Sequence, residues 1–349
     1  MTPSTHSTRE RVRPRHRSLR AGSLTLLGIA AIVVSSQAPA FAYLKLGAAI
    51  DGQVINVSWR QPVRYFVSDR DGTGVTAADL RGAIARATAT WQNVPSATVR
   101  FEFAGSTSVA PGGADGRTTL GFLDRPDLDR VLGSTSFVID TTNGAIVEAD
   151  VFFNTRFTWS VSPQGEAGRV DLESVVLHEL GHVLGLGHSA LGETERTGTG
   201  GRRVLASGAV MFPIAMTPGA IADRVLQPDD MAGISDLYPA AGQVDATGGI
   251  TGRVTKNGQG VLGAHVVAFN PETGVLVGNF ALNMAGEFAI VRLSPGPYVL
   301  RIEPLDDAEV DSFFSTAIDT DFRVTYAPRM VVAPKGGSSS SIEIRVAPK

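Results

Sequence analysis

Cysteine is absent from all 349 residues. No disulfide can form, no thiol can act as a nucleophile, and no lipid can be attached through a cysteine. Histidine is scarce at six residues, and aromatic residues make up only 7%. Charge of either sign is modest: 31 Lys and Arg face 34 Asp and Glu, a net −3. A chain with no basic excess lacks the electrostatic footprint of a nucleic-acid binder. Long apolar runs are missing beyond residue 42, so nothing after that point reads as a membrane-spanning helix. What is present is an ample supply of core material, 43% hydrophobic residues, with 39 Gly and 19 Pro to punctuate it. That length and composition suit about two domains rich in loops and β structure.

The first 42 residues read as a secretory signal. Arg9, Arg11, Arg13, Arg15, Arg17 and Arg20 form a basic region, Ala21 to Ser36 is uncharged and apolar, and Ala40-Phe41-Ala42 supplies small residues for cleavage. The competing reading is an uncleaved membrane anchor, since residues 21–42 carry no charge; Pro39 and the Ala-x-Ala ending favour cleavage after Ala42. The leader holds six Arg and one Glu, +5, so the net −3 of the whole becomes −8 without it. An acidic exported protein is expected, with no nucleic-acid partner and no stable membrane span. Its oligomeric state is not set by the sequence.

Three of the six histidines fall in one run of eleven residues, His178-Glu179-Leu-Gly-His182-Val-Leu-Gly185-Leu-Gly-His188. Residues four apart share a helix face, so His178 and His182 can aim their rings at one ion. Glu179 stands where its carboxylate reaches a metal-bound water. Gly185 can take a bend that other residues resist, ending the helix and returning the chain so that His188 arrives from outside it. Three imidazoles and one open position are the catalytic form of zinc. Zinc lowers the pKa of bound water to about 7 and polarises a carbonyl. Glu179 is then the expected general base. The expected reaction is peptide-bond hydrolysis without a covalent intermediate. The alternatives are a helix whose histidines merely pack, and a vestigial site that holds metal without turnover.

Further along, Ala209-Val210-Met211-Phe212-Pro213 resembles the methionine turn that underlies the zinc ligands of metzincin peptidases. With Ser189 directly after the third histidine and Phe212 after the methionine, the chain resembles a matrixin-type metzincin, similar to the matrix metalloproteinase catalytic domain. Leu226 to Tyr238 is similar to the closing helix of that domain, and Pro62 to Phe103 to its opening strand, helix and strand. The resemblance spans roughly Ser58 to Pro239. It implies an α+β metzincin fold, one catalytic zinc, Met211 as the floor of the site, and a polypeptide substrate. It also implies that Gly133 and Ser134 pair with substrate backbone by strand addition.

Several departures stand out. Without cysteine, a propeptide thiol cannot hold the enzyme latent. No histidine lies between His16 and His178, so a second, structural zinc is not expected. Ala190 to Gly208, with its Thr-Gly-Thr-Gly-Gly run at 197–201, reads as a flexible loop near the cleft.

Elsewhere the patterns are local. Residues 62–67 read as a strand. A helix is expected from Ala77 to about Gln92, with Thr76 as N-cap, Asp79 completing a capping box and Val75 stapling to Leu80. Leu80, Ile84, Ala87 and Trp91 mark its buried face. Val99, Phe101 and Phe103 alternate as a half-buried strand, and strands over 132–140 and 146–153 join near Asn143-Gly144. Calcium is a candidate cofactor at Asp69 with Asp71, where glycines permit a tight turn and a plain solvated turn is the alternative; the matrixin resemblance further implies a calcium site near the strand that carries Glu148 and Asp150.

After Pro239 the composition shifts. Residues 240–249 read as a linker, and 250–349 as an all-β sandwich of short strands: 250–254, 264–270, 287–291, 298–302, 322–326 and 342–346. The pattern around Gly252-Arg-Val, Gly263-Ala264, Gly286 and Pro295-Gly296 resembles the transthyretin-like regulatory domain found beside carboxypeptidases. His265 falls on an alternating strand and is assigned no site. The domains expected are thus a signal peptide (1–42), a matrixin-like peptidase domain (43–239), the linker and the sandwich. The function expected is that of a secreted zinc endopeptidase. The rival is a non-catalytic extracellular binding or adhesion protein in which the sandwich acts and the metallopeptidase fold is scaffold.

Overall fold

A computed structural model describes residues 45–50, 53–196, 202–215, 217–305, 313–314 and 317–349. The leader therefore lies outside the described residues, as does the glycine-rich run at 197–201.

The capping box at Thr76 starts helix α1 (Ala77–Gln92) where the sequence places it. Thr76 Oγ1 accepts from Asp79 N at 3.2 Å, and the Asp79 carboxylate accepts from Thr76 N at 2.8 Å. Leu80, Ile84, Ala87 and Trp91 are all buried, and Trp91 Nε1 donates to Leu177 O at 2.9 Å, tying α1 to helix α2 (Leu172–Val183). Burying such side chains contributes about 1.5–3 kcal/mol each.

Both helices pack with a six-stranded mixed sheet through one apolar core. Val63–Ser68 lies between Phe101–Thr107 and Thr118–Leu123, and Thr118–Leu123 pairs with Ala145–Asn154, all in parallel. Ser58–Trp59 also runs parallel to the start of Ala145–Asn154. The exception is Gly133–Asp140, which runs antiparallel to Ala145–Asn154 after a tight turn in which Gly144 takes φ +74°. It pairs with no other described strand, so its outer edge is open to the cleft.

Two expectations here need correction. Phe103 is 53% exposed, not half-buried: it lies on Phe101–Thr107, an edge strand of the sheet, where its ring meets Tyr65 at 5.7 Å and is otherwise open. Residues 190–208 are not a loop but an antiparallel hairpin of Gly192–Arg196 and Arg202–Ser207. The first strand, Gly-Glu-Thr-Glu-Arg, has no apolar residue, and the second offers only Val204-Leu205-Ala206 in a row, without alternation.

Beyond helix α3 (Pro228–Leu237), the chain passes through a short helix, Gln243–Ala246, and enters strand Gly248–Lys256. That strand pairs with Glu287–Leu293, with Gln259–Gly260 and, in parallel, with Ile342–Val346. The pairing is thus not antiparallel throughout. A second sheet joins Leu276–Phe280, His265–Phe269 and Gly296–Glu303, with Thr325–Tyr326 and Val331–Ala333 alongside Gly296–Glu303. Ile250, Val254, Phe288 and Ile344 from the first sheet meet Val266, Val277, Leu300 and Ile302 from the second in one buried core.

The two cores are not separate. Leu191 and Ala209 pack with Val267, and Ala190 packs with Phe280, Leu305, Phe313 and Phe314. A salt bridge from Arg292 to Asp236 of α3 at 3.2 Å crosses the same boundary.

Candidate metal centre

Helix α2 begins at an Asp171 N-cap, whose carboxylate accepts from Ser174 N at 2.9 Å. It carries His178 and His182 on one face and ends where Gly185 adopts φ +96°. Only glycine fits there, since a Cβ would also stand 2.5 Å from Val57 O. The turn is held by Gly185 N to His182 O at 2.7 Å and Leu186 N to Gly181 O at 3.0 Å, and it delivers His188 to the helix. The three rings then meet: candidate ligand atoms of His178, His182 and His188 all lie within 4.8 Å of one another, and the Nε2 atoms of His182 and His188 are 3.2 Å apart. Among the described residues this is the single group of three or more side chains able to hold a metal ion.

The outward nitrogens are fixed as well. His178 Nδ1 bonds Val210 O at 2.7 Å, and His182 Nδ1 bonds Leu186 O at 2.8 Å. A carbonyl can only accept, so each Nδ1 carries the hydrogen and each Nε2 presents a lone pair inward. Burial keeps both rings neutral, pushing the pKa of His178 down to about 3 and that of His182 well below its ordinary value. Neutral imidazoles with converging lone pairs fit zinc.

Glu179 is buried beside them. Its Oε2 accepts from Thr135 Oγ1 at 2.7 Å, leaving Oε1 without that donor, and burial pushes its pKa up to about 7. Gly133 explains the close approach of the edge strand: a Cβ there would lie 3.1 Å from Glu179 Oε1. Gly133 and Ser134 line the same cleft as Glu179 and the three histidines, a space of about 1140 Å³. Thr135 was not singled out by the sequence; its position two residues beyond Gly133 on the same strand was the available signal.

Met211 lies under the helix, buried, with its sulfur where a Cβ on Gly181 would come within 2.2 Å. The turn that carries it is pinned by Asp230, whose carboxylate accepts from Val210 N at 2.8 Å and Met211 N at 3.1 Å. Its neighbour Asp229 accepts from Ser189 Oγ at 2.7 Å and from Gly278 N at 2.8 Å. One buried carboxylate therefore joins the residue after His188 to a strand of the C-terminal sheets, and Phe313 places its ring edge-on 6.1 Å from His188. None of these long-range partners could be read from local pattern.

Three of the four candidate calcium residues, Asp71, Glu148 and Asp150, are used otherwise. Asp71 Oδ1 accepts from Ala77 N at 2.8 Å at the start of α1. Asp150 accepts from the backbone N–H groups of Gly112, Gly113 and Thr119, and Glu148 from those of Asp115 and Gly116. Both carboxylates thus fasten the loop at 112–119, and Asp69, Asp71, Glu148 and Asp150 form no metal-binding group among the described residues. The structure gives calcium no support.

Comparison with known proteins agrees with this geometry. The matrixin family model matches residues 58–195. Residues 58–195 are thus similar to a matrix metalloproteinase-like catalytic domain. Its relatives are plant and animal matrixins. Metalloendoproteinase 2-MMP of Arabidopsis thaliana is 28% identical over 193 residues, covering 52% of this chain and 43% of the relative. Metalloendoproteinase 4-MMP of the same plant is 32% identical, covering 33% and 28%. Human matrix metalloproteinase-25 is 29% identical, covering 34% and 20%. The chain spans less than half the length of these curated relatives. The matrixin match stops at residue 195, short of Met211, α3 and the C-terminal sheets. No helix among the described residues is long and apolar enough to cross a membrane.

Proposed function

We propose that this chain is an exported zinc endopeptidase, with His178, His182 and His188 as metal ligands and Glu179 as general base. The observation that carries the reading is the convergence of three neutral imidazoles beside a buried carboxylate in an open cleft. Zinc, when bound, supplies a polarised water and a Lewis acid for the scissile carbonyl.

The protein's own groups do the rest. Glu179 Oε1 takes the proton from the attacking water and passes it to the leaving amine. Thr135 holds Oε2 and so aims the carboxylate. The open edge at Gly133 and Ser134 pairs with an extended substrate, whose backbone supplies the matching donors and acceptors. Val210 O and Leu186 O hold the ligand rings in their tautomers. The carbonyl of Val210 is itself placed through Asp230, so Met211 and its turn set the floor of the site.

The C-terminal sheets form a sandwich that follows the peptidase domain and leans on the His188 segment. Export rests on the N-terminal leader. The test is cleavage of a generic unfolded protein by the zinc-loaded chain, with and without a chelator, alongside Glu179→Ala. Chelator-sensitive cleavage that Glu179→Ala abolishes while retaining zinc is expected. Absence of cleavage with zinc bound would favour the scaffold reading, in which the sandwich binds a partner.

A further inference from the structure

Resting on the peptidase reading, the structure assigns Asp223 as the residue that selects a lysine or arginine flanking the scissile bond. The cleft does not end at the histidines. Asp171, Ser174, Val175 and His178 all line it, and their spacing puts them on one face of α2. Seven residues separate His178 from Asp171, so this wall extends about 10 Å from the metal level toward the helix N-terminus. Val210, Pro213 and Ile214 line the cleft too, and Asp223 is the last residue on that side of the chain to do so. The result is a side pocket with an apolar middle and carboxylates at its far end. A lysine or arginine has the matching form, an aliphatic stem with a charged tip.

Two carboxylates stand there, and they are not equivalent. Asp171 is fully engaged: it caps α2 through Ser174 and pairs with Arg224, whose Nε lies 2.9 Å away. The Arg224 guanidinium also donates to Ser162 O at 2.8 Å. Asp223 has neither a hydrogen bond nor an ion pair among the described residues. It is half-buried, and both burial and the like charge of Asp171 raise its pKa. A half-buried carboxylate beside a second one, with the nearest guanidinium turned to other partners, is relieved by a cation from outside.

The pocket end is also fixed in place. The loops around Gly165 and Gly219 interlock so closely that a Cβ on Gly165 would stand 2.1 Å from Gly219 O, and both glycines have positive φ. Asp223 follows four residues beyond Gly219, in the short turn Ala222–Arg224.

The experiment digests a peptide mixture with the zinc-loaded full-length chain at mildly alkaline pH, where the carboxylate is ionised, and reads the residues on either side of each cut. Lysine and arginine are expected to be enriched at one flanking position. Paired peptides differing only there, Arg against Leu, then give a ratio of kcat/KM. Asp223→Asn should lower that ratio roughly tenfold or more, the range of a charge-assisted hydrogen bond, and Asp223→Glu should keep most of it. A cut-site profile in which basic residues are not enriched overturns the assignment while leaving the peptidase reading intact, and it needs no variant. An unchanged Arg-to-Leu ratio in folded Asp223→Asn overturns it equally. Failure of the loaded wild-type chain to cut any peptide overturns the peptidase reading and this inference with it.

Discussion

Gly278→Ala is the substitution that most sharply separates a sandwich that merely follows the peptidase domain from one that supports its metal site. On secondary-structure grounds alone it should help, because replacing a strand glycine by alanine gains about 0.5–1 kcal/mol of conformational entropy. The structure reverses the sign. A Cβ at 278 would stand 2.6 Å from His265 Nε2 and 3.2 Å from Leu191 Cγ. The imidazole cannot retreat: its Nδ1 pairs with Glu303 at 3.0 Å, its ring packs 5.0 Å from Phe280, and it is only 2% exposed. Overpacking of this kind costs about 1–3 kcal/mol. Displacing the strand also weakens the Gly278 N–H bond to Asp229, which above about pH 7 is a hydrogen bond to a charged group contributing about 1.5–3 kcal/mol. The net is a loss of roughly 2–4 kcal/mol, or about 3–6 °C in Tm for a chain of this length. Because Asp229 also holds Ser189, the residue after His188, zinc affinity should fall by up to about tenfold. Thermal melts with and without zinc, and a zinc titration against a competing chelator, measure both effects. A Tm equal to or above wild type, with unchanged zinc affinity, would refute the argued coupling.

Other outcomes follow from the same contacts. Gly181→Ala should lower stability by roughly 1–2 kcal/mol despite alanine's better helix propensity, because its Cβ meets Met211 Sδ at 2.2 Å; in a Met211→Ala background, itself destabilised by the cavity, the same substitution should cost less than in wild type, and an equal cost in both backgrounds would contradict the clash. Burial and the neighbouring Asp230 raise the Asp229 pKa to about 7. The folded state therefore holds a proton that the unfolded chain releases near pH 4, so this contribution to stability is present in acid and is lost as pH rises through about 7. The stability of wild type minus that of Asp229→Asn should grow by a few kcal/mol from pH 8 to pH 5, and a pH-independent difference would contradict this. Asp150→Ala should loosen the loop at 112–119, accelerating amide exchange at Gly112, Gly113 and Thr119, while calcium leaves the wild-type Tm unchanged; a calcium-dependent rise in Tm would restore the metal site that the backbone bonds argue against.

What could be read in the sequence was what local chemistry dictates. The capping box at Thr76, the four apolar positions of α1, the turn at Gly144 and the bend at Gly185 each depend on residues within a turn or two. The histidine run was legible for the same reason, since one helix and one glycine bend place all three rings. What escaped were features set by distant partners. Asp229 and Asp230 stand in the first turn of α3 and carried no signal of their own, yet one reaches into the C-terminal sheets and the other pins the methionine turn. Thr135 has no signature until the edge strand lies against α2. The hairpin of Gly192–Arg196 and Arg202–Ser207 is held by backbone pairing of a polar segment with one whose three apolar residues are consecutive, so hydrophobic alternation gave no trace of it. The parallel pairing of Ile342–Val346 with Gly248–Lys256 joins segments nearly ninety residues apart, where local turn chemistry has nothing to say.

The central claim, that three histidines close on one catalytic ion, is tested most directly by the metal content of the purified folded chain after dialysis against trace zinc, for wild type beside His182→Ala. One zinc per chain in wild type and less than a tenth of that in the variant is the expected result. A folded wild-type protein without stoichiometric zinc, or a variant that retains it, would contradict the account.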